Sequence, residues 1–198
     1  MSLLGRMLTR FADCVLAALC LVLFSPLFVY CYILVYREFG HHVIFKQERI
    51  GRGGFPFYIY KFRTMEEGAE KDGPQLCEGP HTDSRVSATG RFLRAHHLDE
   101  LPQLWNVFIG DMAFVGPRPE RSYFIEQIIL HNPRYTELYA VRPGVTSYAT
   151  LYNGYTDTMD KMLMRLELDL YYLEHRSVWL NLKILWLTFY RIVQGQVF

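Results

Sequence analysis

Two adjacent carboxylates, Asp99 and Glu100, are the side chains of this sequence best suited to chemistry. They stand just ahead of a proline and an apolar helical pattern, and arginines flank them at short sequence distance. The nearest of these are Arg91, Arg94 and Arg118. Carboxylates among arginines suit a reaction on an anionic substrate, with a divalent metal to offset negative charge. The residue types therefore indicate a reaction centre in this stretch.

The same pair also has an ordinary structural explanation. Pro102 fits best in the first turn of a helix, which predicts a helix over 101–108 that begins at or near Asp99 and Glu100. Acidic residues at a helix N-terminus stabilise it by about 0.3 to 1 kcal/mol, and an isolated Asp-Glu pair is more often such a cap than a catalytic group. From the pair alone, both interpretations stay open.

The composition favours one compact domain and excludes some classes of partner. The chain has 198 residues, of which 51% are hydrophobic, and a formal net charge of +1. It carries no basic stripe with interleaved aromatic residues, so we expect no nucleic-acid partner. The absence of a Cys-x-x-Cys spacing argues against a zinc site or a disulfide framework. The cysteines are Cys14, Cys20, Cys31 and Cys77.

An uncharged run from Cys14 to Tyr36 is long enough to reach across a bilayer. As a helix it would extend roughly 35 Å, against a hydrocarbon core of about 30 Å. No small-x-small cleavage pattern follows it, so we expect this segment to be retained. Ser25-Pro26 lies near its midpoint and predicts a kink. A kinked helix can cross the membrane or bend back to the same side, and these residues alone favour crossing.

The segment after the apolar run predicts a β-hairpin. Short β-branched and aromatic runs at 43–45 and 57–60 are separated by the glycine-rich 51–54. If the second strand continued through the next few residues, Lys61 and Arg63 would point to one side of it. A solvated strand face explains that alternation equally well.

A loop and several helices are predicted next. The segment 66–82 mixes charges with glycine and proline and predicts a long exposed loop. A helical piece at 90–97 would place Arg91 and Arg94 on one face. Further helices are predicted at 124–131 and 157–175.

Two later segments complete the chain. The stretch 141–146 predicts a turn-bearing loop that carries Arg142. The stretch 177–194 has only a narrow polar stripe and is too apolar for an ordinary surface helix. It predicts either a helix in a membrane interface or a helix buried in the core, and the pattern does not separate the two.

Six motifs follow one another along this chain in a recognisable order. They are Lys61-Phe62-Arg63-Thr64-Met65, Arg91-Phe92-Leu93-Arg94, Leu98-Asp99-Glu100-Leu101-Pro102-Gln103-Leu104, Gly110-Asp111-Met112, Val115-Gly116-Pro117-Arg118-Pro119 and Arg142-Pro143-Gly144-Val145-Thr146. In this order the sequence resembles the bacterial sugar transferases, and among them the small monotopic phosphoglycosyl transferases that start lipid-linked glycan assembly. The resemblance extends from Arg10 to the C-terminus.

The resemblance implies an enzyme that moves a sugar phosphate from a UDP-sugar to a polyprenol phosphate such as undecaprenyl phosphate, with release of UMP. This is the first membrane step in assembling a glycoconjugate. It implies that Asp99 attacks the distal phosphorus and forms a covalent phosphosugar intermediate, and that Glu100 assists with the metal or with proton transfer. Mg²⁺ is the expected cofactor, with Asp99 as its leading ligand.

The resemblance and the chemistry together nominate the cations. Arg94 and Arg118 are expected to bind phosphate oxygens, because the guanidinium fork matches them better than a lysine point charge does. For the other candidates a structural role is the alternative. They are Lys61, Arg63, Arg91 and Arg142.

The resemblance also changes the prediction for the membrane segment. It implies a re-entrant helix at 1–36, broken at Ser25-Pro26, that returns to the cytoplasmic face of a bacterial inner membrane, and a catalytic domain at 37–198. The predicted fold is mixed α/β and helix-rich: the re-entrant membrane helix, a small β-hairpin and interfacial amphipathic helices around a compact catalytic core. Contact with the lipid bilayer is expected, and self-association into a homo-oligomer stays open.

Three stretches depart from the family pattern, and none includes the two carboxylates. They are His97, Ala113-Phe114 and 147–154, of which the last bears on local substrate contacts. The competing hypothesis is a non-catalytic, membrane-anchored partner that binds polyprenol phosphate or organises an assembly complex. The retained acidic pair with its flanking arginines argues against it. The sequence has no legible signal for which UDP-sugar is used.

Overall fold

A computed structural model describes residues 3–71, 73–76, 83–154 and 156–194 and has the predicted helix-rich α/β character. Its helices are α1 Leu3–Leu23, α2 Ser25–Phe39, α3 Ala88–Ala95, α4 Gln103–Ile109, α5 Ser122–His131, α6 Tyr148–Asn153, α7 Met159–His175 and α8 Val178–Val193. Its strands are β1 Ile44–Ile50, β2 Pro56–Phe62, β3 Ala113–Val115 and β4 Gly144–Thr146. Short 3₁₀ helices lie at Arg52–Gly54, Leu98–Glu100 and Pro133–Ala140.

The apolar N-terminal segment is two helices rather than one. α1 and α2 meet at a bend of 63°. Pro26 lies in the first turn of α2, where its missing N–H costs least, and the Ser25 hydroxyl donates to the carbonyl of Val22 at 2.8 Å. The predicted kink is confirmed. Among the described residues no single helix is both long and apolar enough to cross a membrane, whereas α1 and α2 together reach that length and composition.

β1 and β2 form the predicted hairpin, paired antiparallel with Ile44 opposite Phe62. Two consecutive glycines in the turn, Gly53 and Gly54, have φ of 76° and 77°, a conformation that side chains disfavour. β2 ends at Phe62, so the condition for Lys61 and Arg63 to share one strand face is not met. The carbonyl of Thr64 accepts instead from the amide of Ser87 at 3.0 Å, so the chain leaves the hairpin toward the start of α3.

β3 and β4 are a parallel pair that the sequence did not reveal, since 141–146 was predicted as a loop. Strands of three residues are too short to show alternation. The two strands lead into a very close backbone approach between Gly116 and Gly144, where a Cβ on Gly144 would lie 2.1 Å from the amide nitrogen of Gly116. Only glycine fits there, and this crossing sets the direction of the chain after β3.

The predicted later helices are present, and the last one resolves an open alternative. α5 and α7 correspond to the predictions at 124–131 and 157–175. α8 buries Asn181 and Ile184, but Trp179 is 82% and Trp186 66% exposed. The buried-helix alternative is therefore wrong.

Within the predicted loop at 66–82, the positions outside the described residues are 72 and 77–82, the latter including Cys77.

A buried carboxylate joins the hairpin to the helical part of the core. Glu120 accepts from Arg49 at 2.8 Å and from Arg165 at 2.6 Å, so β1 and α7 are tied through one side chain. Its backbone carbonyl also accepts from the amide of Ile50 at 3.0 Å. Burial alone would raise the pKa of Glu120, but the two guanidinium groups lower it to about 2.

This pairing predicts a stability loss in acid. The ordinary pKa of a glutamate is 4.5, so the contribution of Glu120 is complete above that value and disappears as the pH falls toward 2. We expect Glu120→Gln to lower the free energy of unfolding by about 3 kcal/mol at neutral pH, because two buried arginines lose their counter-charge. At pH 3 the difference from the unaltered protein should shrink.

Denaturant unfolding in detergent micelles at both pH values measures this difference. Glu137→Gln is the matched control, because Glu137 pairs with Arg134 on the exposed surface and its removal should leave stability nearly unchanged. An equal loss for Glu120→Gln at both pH values would contradict the assignment.

Candidate active site

The acidic pair lies in the 3₁₀ turn Leu98–Glu100 between α3 and α4. The turn is entered through His97, whose φ of 54° makes it the only residue other than glycine with a positive φ in the described part of the chain. α4 begins at Gln103, two residues later than predicted, with Pro102 at its N-cap. Neither carboxylate caps the 3₁₀ turn or α4. Capping through a side-chain hydrogen bond is therefore not the role of the pair.

Glu100 is held between two cations. The same oxygen, Oε1, accepts from Nζ of Lys61 at 2.6 Å and from Nη2 of Arg118 at 2.8 Å. Burial would raise the pKa of Glu100, but attraction to Arg118 and Lys61, with the hydrogen bonds from both, holds that pKa well below its usual range. Glu100 is therefore ionised and charge-neutralised by its neighbours.

Asp99 has a different environment from its neighbour. It is 7% exposed and forms no ion pair or hydrogen bond with the residues that the structure describes. Burial and the repulsion of Glu100 raise the pKa of Asp99, against the opposing attraction of Lys61 and Arg94. A buried carboxylate that is not engaged by a cation is a group with free lone pairs, available to a metal or an electrophile.

Lys61 reaches the site because α4 is fixed against β2. Asn106 is fully buried on α4, and its side chain donates to the carbonyl of Tyr58 at 2.7 Å and accepts from the amide of Tyr60 at 3.2 Å. These bonds replace the partners that β2 lacks on its outer edge. Asn106 was not predicted as a site residue; a polar side chain within an apolar helical pattern was the available signal.

Arg118 is positioned by the β3–β4 crossing. The amide of Gly144 donates to the carbonyl of Pro117 at 2.9 Å. Asp169 of α7 is a second buried acid beside the backbone of Arg118 and Ala149, and burial raises its pKa to about 7 against the attraction of Arg165. Asp169 was also missed. Its signal was a carboxylate on the buried stripe of α7, between Leu166 and Leu170.

The structure brings only some of the predicted cations to the acidic pair. Arg94 donates through Nε to the hydroxyl of Thr64 at 3.0 Å and attracts the carboxylate of Asp99. α3 can place it there because Gly90 packs directly on Thr64, where a Cβ would lie 2.2 Å from the carbonyl oxygen. Lys61, Arg94 and Arg118 are therefore the cations at the site.

The other three candidates lie elsewhere. Arg63 donates to the carbonyl of His42 at 2.7 Å, and Arg91 donates to the carbonyl of Val86 at 2.8 Å. Arg63 therefore does not join Lys61, as the alternation had suggested, because β2 ends between them. Arg142 belongs to a separate cluster of arginines beside α1.

The side chains of the site fit a magnesium ion only if the substrate supplies some of its ligands. Within the described residues no three His, Cys, Asp or Glu side chains group together, so the protein offers no closed metal cage. Mg²⁺ is usually bound by one or two carboxylates together with substrate phosphate oxygens. Asp99, which is not engaged in an ion pair, fits that arrangement.

A buried carboxylate beside a charge-neutralised one, with three cations nearby, is an arrangement suited to chemistry on a phosphate ester. The family model for bacterial sugar transferases matches residues 4–195, which is nearly the whole chain. The chain belongs to the bacterial sugar transferase family.

Several curated bacterial proteins are similar to this chain. It is 37% identical to the UDP-N-acetylgalactosamine-undecaprenyl-phosphate N-acetylgalactosaminephosphotransferase of Aeromonas hydrophila, over 94% of this chain and 44% of that protein. It is 40% identical to the UDP-glucose:undecaprenyl-phosphate glucose-1-phosphate transferase of Caulobacter vibrioides, over 88% of this chain and 66% of that protein. It is 34% identical to the uncharacterized sugar transferase EpsL of Bacillus subtilis, over 96% and 89%. The chain thus corresponds to part of the first two and to most of the third.

The contrast between the two carboxylates predicts opposite effects on stability. In metal-free buffer at neutral pH, Asp99→Asn should raise the unfolding midpoint by about 2 to 4 °C, because it removes a buried charge that Glu100 repels. Glu100→Gln should lower the midpoint by about 10 °C, because Lys61 and Arg118 lose their shared counter-charge. Differential scanning fluorimetry in detergent measures both, and shifts of the same sign would refute the assigned environments.

Proposed function

We propose that this chain transfers a sugar phosphate from a UDP-sugar to a polyprenol phosphate and releases UMP, as the first membrane step of a glycoconjugate pathway. Relatives named for transfer from UDP-sugars to undecaprenyl phosphate support the reaction class. The observation that carries the proposal for this chain is the division within the acidic pair. Glu100 is bound by two cations, and buried Asp99 is bound by none among the described residues.

In the first step an Asp99 carboxylate oxygen forms a bond to the sugar-bearing phosphorus of the UDP-sugar. The bond from that phosphorus to the bridging oxygen breaks, and UMP leaves with the electron pair. In the second step a phosphate oxygen of the polyprenol phosphate bonds to the same phosphorus and displaces Asp99. The products are a polyprenyl-diphosphate-sugar and the free carboxylate.

Glu100 is proposed as a positioning residue rather than a proton carrier. Its lowered pKa keeps it ionised at neutral pH, so it holds no proton to donate. Its two ion pairs instead fix Lys61 and Arg118 beside Asp99. Cations fixed in this way need no rearrangement when charge develops on the diphosphate, and such a donor contributes several kcal/mol to a transition state.

Asp99 is the residue proposed to hold Mg²⁺, together with the diphosphate of the substrate. When bound, the ion neutralises part of the charge that repels the attacking carboxylate. Arg94 acts on the same charge from α3, held in place by its bond to Thr64.

We also propose a monotopic location on the cytoplasmic face of a bacterial inner membrane, with α1 and α2 re-entrant. The 63° bend supports a return to the same face. Large apolar side chains exposed on α1 and α8 support contact with lipid. They include Leu4, Met7, Leu8, Phe11, Val178, Trp179, Leu182 and Trp186. Such a placement brings a lipid-borne acceptor and a soluble nucleotide to one site.

The activity is tested by UMP release when UDP-sugars and polyprenol phosphate are supplied together with Mg²⁺. A panel of UDP-sugars identifies the donor. Asp99→Asn should reduce turnover by at least about a thousandfold, since a nucleophile is removed, and should abolish labelling of the protein by a radioactive sugar phosphate. Asp160→Asn, an exposed acid in the first turn of α7, is the control and should retain turnover.

Full turnover by Asp99→Asn would show that Asp99 is not the nucleophile. Binding of polyprenol phosphate without turnover of any UDP-sugar would favour the non-catalytic alternative.

Topology is tested by labelling single cysteines placed before α1 and after α2 with a membrane-impermeant reagent in intact cells. Both positions should be protected in the unaltered protein, because a re-entrant pair keeps both ends inside. Pro26→Leu should straighten the break and expose the N-terminal position in part of the population. Ser25→Ala, which keeps the proline, should behave like the parent. A periplasmic N-terminus in the unaltered protein would exclude the re-entrant arrangement.

A further inference from the structure

A second group of cations lines a cavity of about 50 Å³ beside the start of α1. This volume exceeds the roughly 10 to 15 Å³ that a single water requires. The cavity is lined by Arg6, Thr9, Arg10, Asp13, Arg52, Ala113, Ala140, Val141, Arg142 and Arg176. Five arginines therefore face one carboxylate. None of these residues belongs to the acidic pair or to its three cations.

Three of the five arginine side chains form no hydrogen bond or ion pair with the described residues. Arg10 is committed, because it donates to the carbonyls of Val107 and Phe108 at 2.6 and 2.8 Å and so caps the C-terminus of α4. Arg6, Arg52 and Arg142 donate no hydrogen bond and form no ion pair within the described part of the chain. These three guanidinium groups thus keep their full donor capacity.

The single carboxylate does not neutralise the cluster. Asp13 accepts from the amide of Phe114 at 3.5 Å and forms no ion pair with a described arginine. Burial lowers the pKa of Arg142, and Arg10, Arg52 and Arg176 lower it further, with Asp13 opposing them. Like charges assembled in a half-buried position are unfavourable unless an anion joins them.

The chemistry of the cluster specifies the anion. Guanidinium groups approaching from several directions match the oxygens of a phosphate, to which each can donate two parallel hydrogen bonds. The Nε of Arg176 is buried without a hydrogen-bond partner in the described residues, so one more donor is available.

The position of the cavity indicates that the headgroup of a lipid is one source of such a phosphate. Asp13 lies on α1 immediately before its uncharged run and Arg6 about two turns earlier, and Arg176 lies just before α8. The first turn of α8 exposes Val178 and Trp179. The cavity thus lies where two helices with exposed apolar residues meet the charged surface, which is the depth of a lipid headgroup.

We propose that this cavity binds a phosphate group, supplied by the headgroup of an anionic phospholipid or by a soluble phosphate. The proposal concerns binding alone and does not depend on the transfer reaction.

The double variant Arg6→Gln/Arg52→Gln tests it. Both side chains are exposed and donate no hydrogen bond to a described residue, so the fold should be kept, which an unchanged unfolding midpoint without ligand verifies. Arg134→Gln/Lys161→Gln is the control: it removes the same charge from exposed side chains outside the cavity. Arg6→Lys/Arg52→Lys keeps the charge without the planar fork and should bind with intermediate strength.

Two measurements distinguish the sources. Flotation compares partition into vesicles of phosphatidylcholine with partition into an equal mixture of phosphatidylcholine and phosphatidylglycerol. Thermal unfolding in detergent is followed with and without inorganic phosphate. For a lipid source, the glutamine variant should lose about 30-fold of its preference for phosphatidylglycerol vesicles, since each arginine contributes about fivefold. For a soluble source, phosphate should stabilise the unaltered protein and not the variant, with no preference between vesicles.

An unaltered protein that shows neither preference nor stabilisation would overturn the proposal. So would a glutamine variant that retains both, or a control variant that loses as much as the glutamine variant.

Discussion

The bond network around Oε1 of Glu100 is the interaction on which the site depends. It joins a lysine from β2, an arginine from the loop after β3 and a carboxylate from the turn before α4, at 2.6 and 2.8 Å. Partners 39 and 18 residues away in sequence thus meet at one atom. Removing one member of such a buried group leaves an uncompensated charge, at a cost of about 3 to 5 kcal/mol. The hairpin and the β3–β4 crossing are in this sense a frame that holds two cations beside Asp99.

The 3₁₀ turn explains how neighbouring acids serve different purposes. Consecutive side chains on a turn point in different directions, so Glu100 faces Lys61 and Arg118 while Asp99 stays buried without an ion pair among the described residues. Their pKa values shift in opposite directions from nearly the same starting value. This difference underlies the proposed roles, in which Glu100 organises charge and Asp99 reacts, a division that acid pairs in active sites share.

What the sequence predicted correctly was local, and what it missed depended on contacts between distant segments. The kink at Ser25-Pro26 follows from the missing N–H of proline, the hairpin from consecutive glycines, and α7 from its length and period. Lys61 and Arg63 do not share one face, because side chains alternate only within a strand and β2 ends at Phe62. β3 and β4 are too short to show a period, and the burial of Asp169 beside the backbone of Arg118 depends on a contact between distant segments. The ordered family motifs named Glu100, but its partners could be assigned only from the fold.

α4 fixes the position of the acidic pair relative to the apolar N-terminal helix, because it connects the two. Its C-terminus is capped by Arg10 of α1, and its fully buried Val107 packs with Ala17 of the same helix. Its N-terminus follows directly on the turn that holds Asp99 and Glu100. A helix of seven residues spans roughly 10 Å at 1.5 Å per residue, and it behaves as a rigid rod over that distance. In the proposed membrane placement, the depth of α1 in the lipid would set the height of the carboxylates above it, as a lipid-anchored acceptor would require.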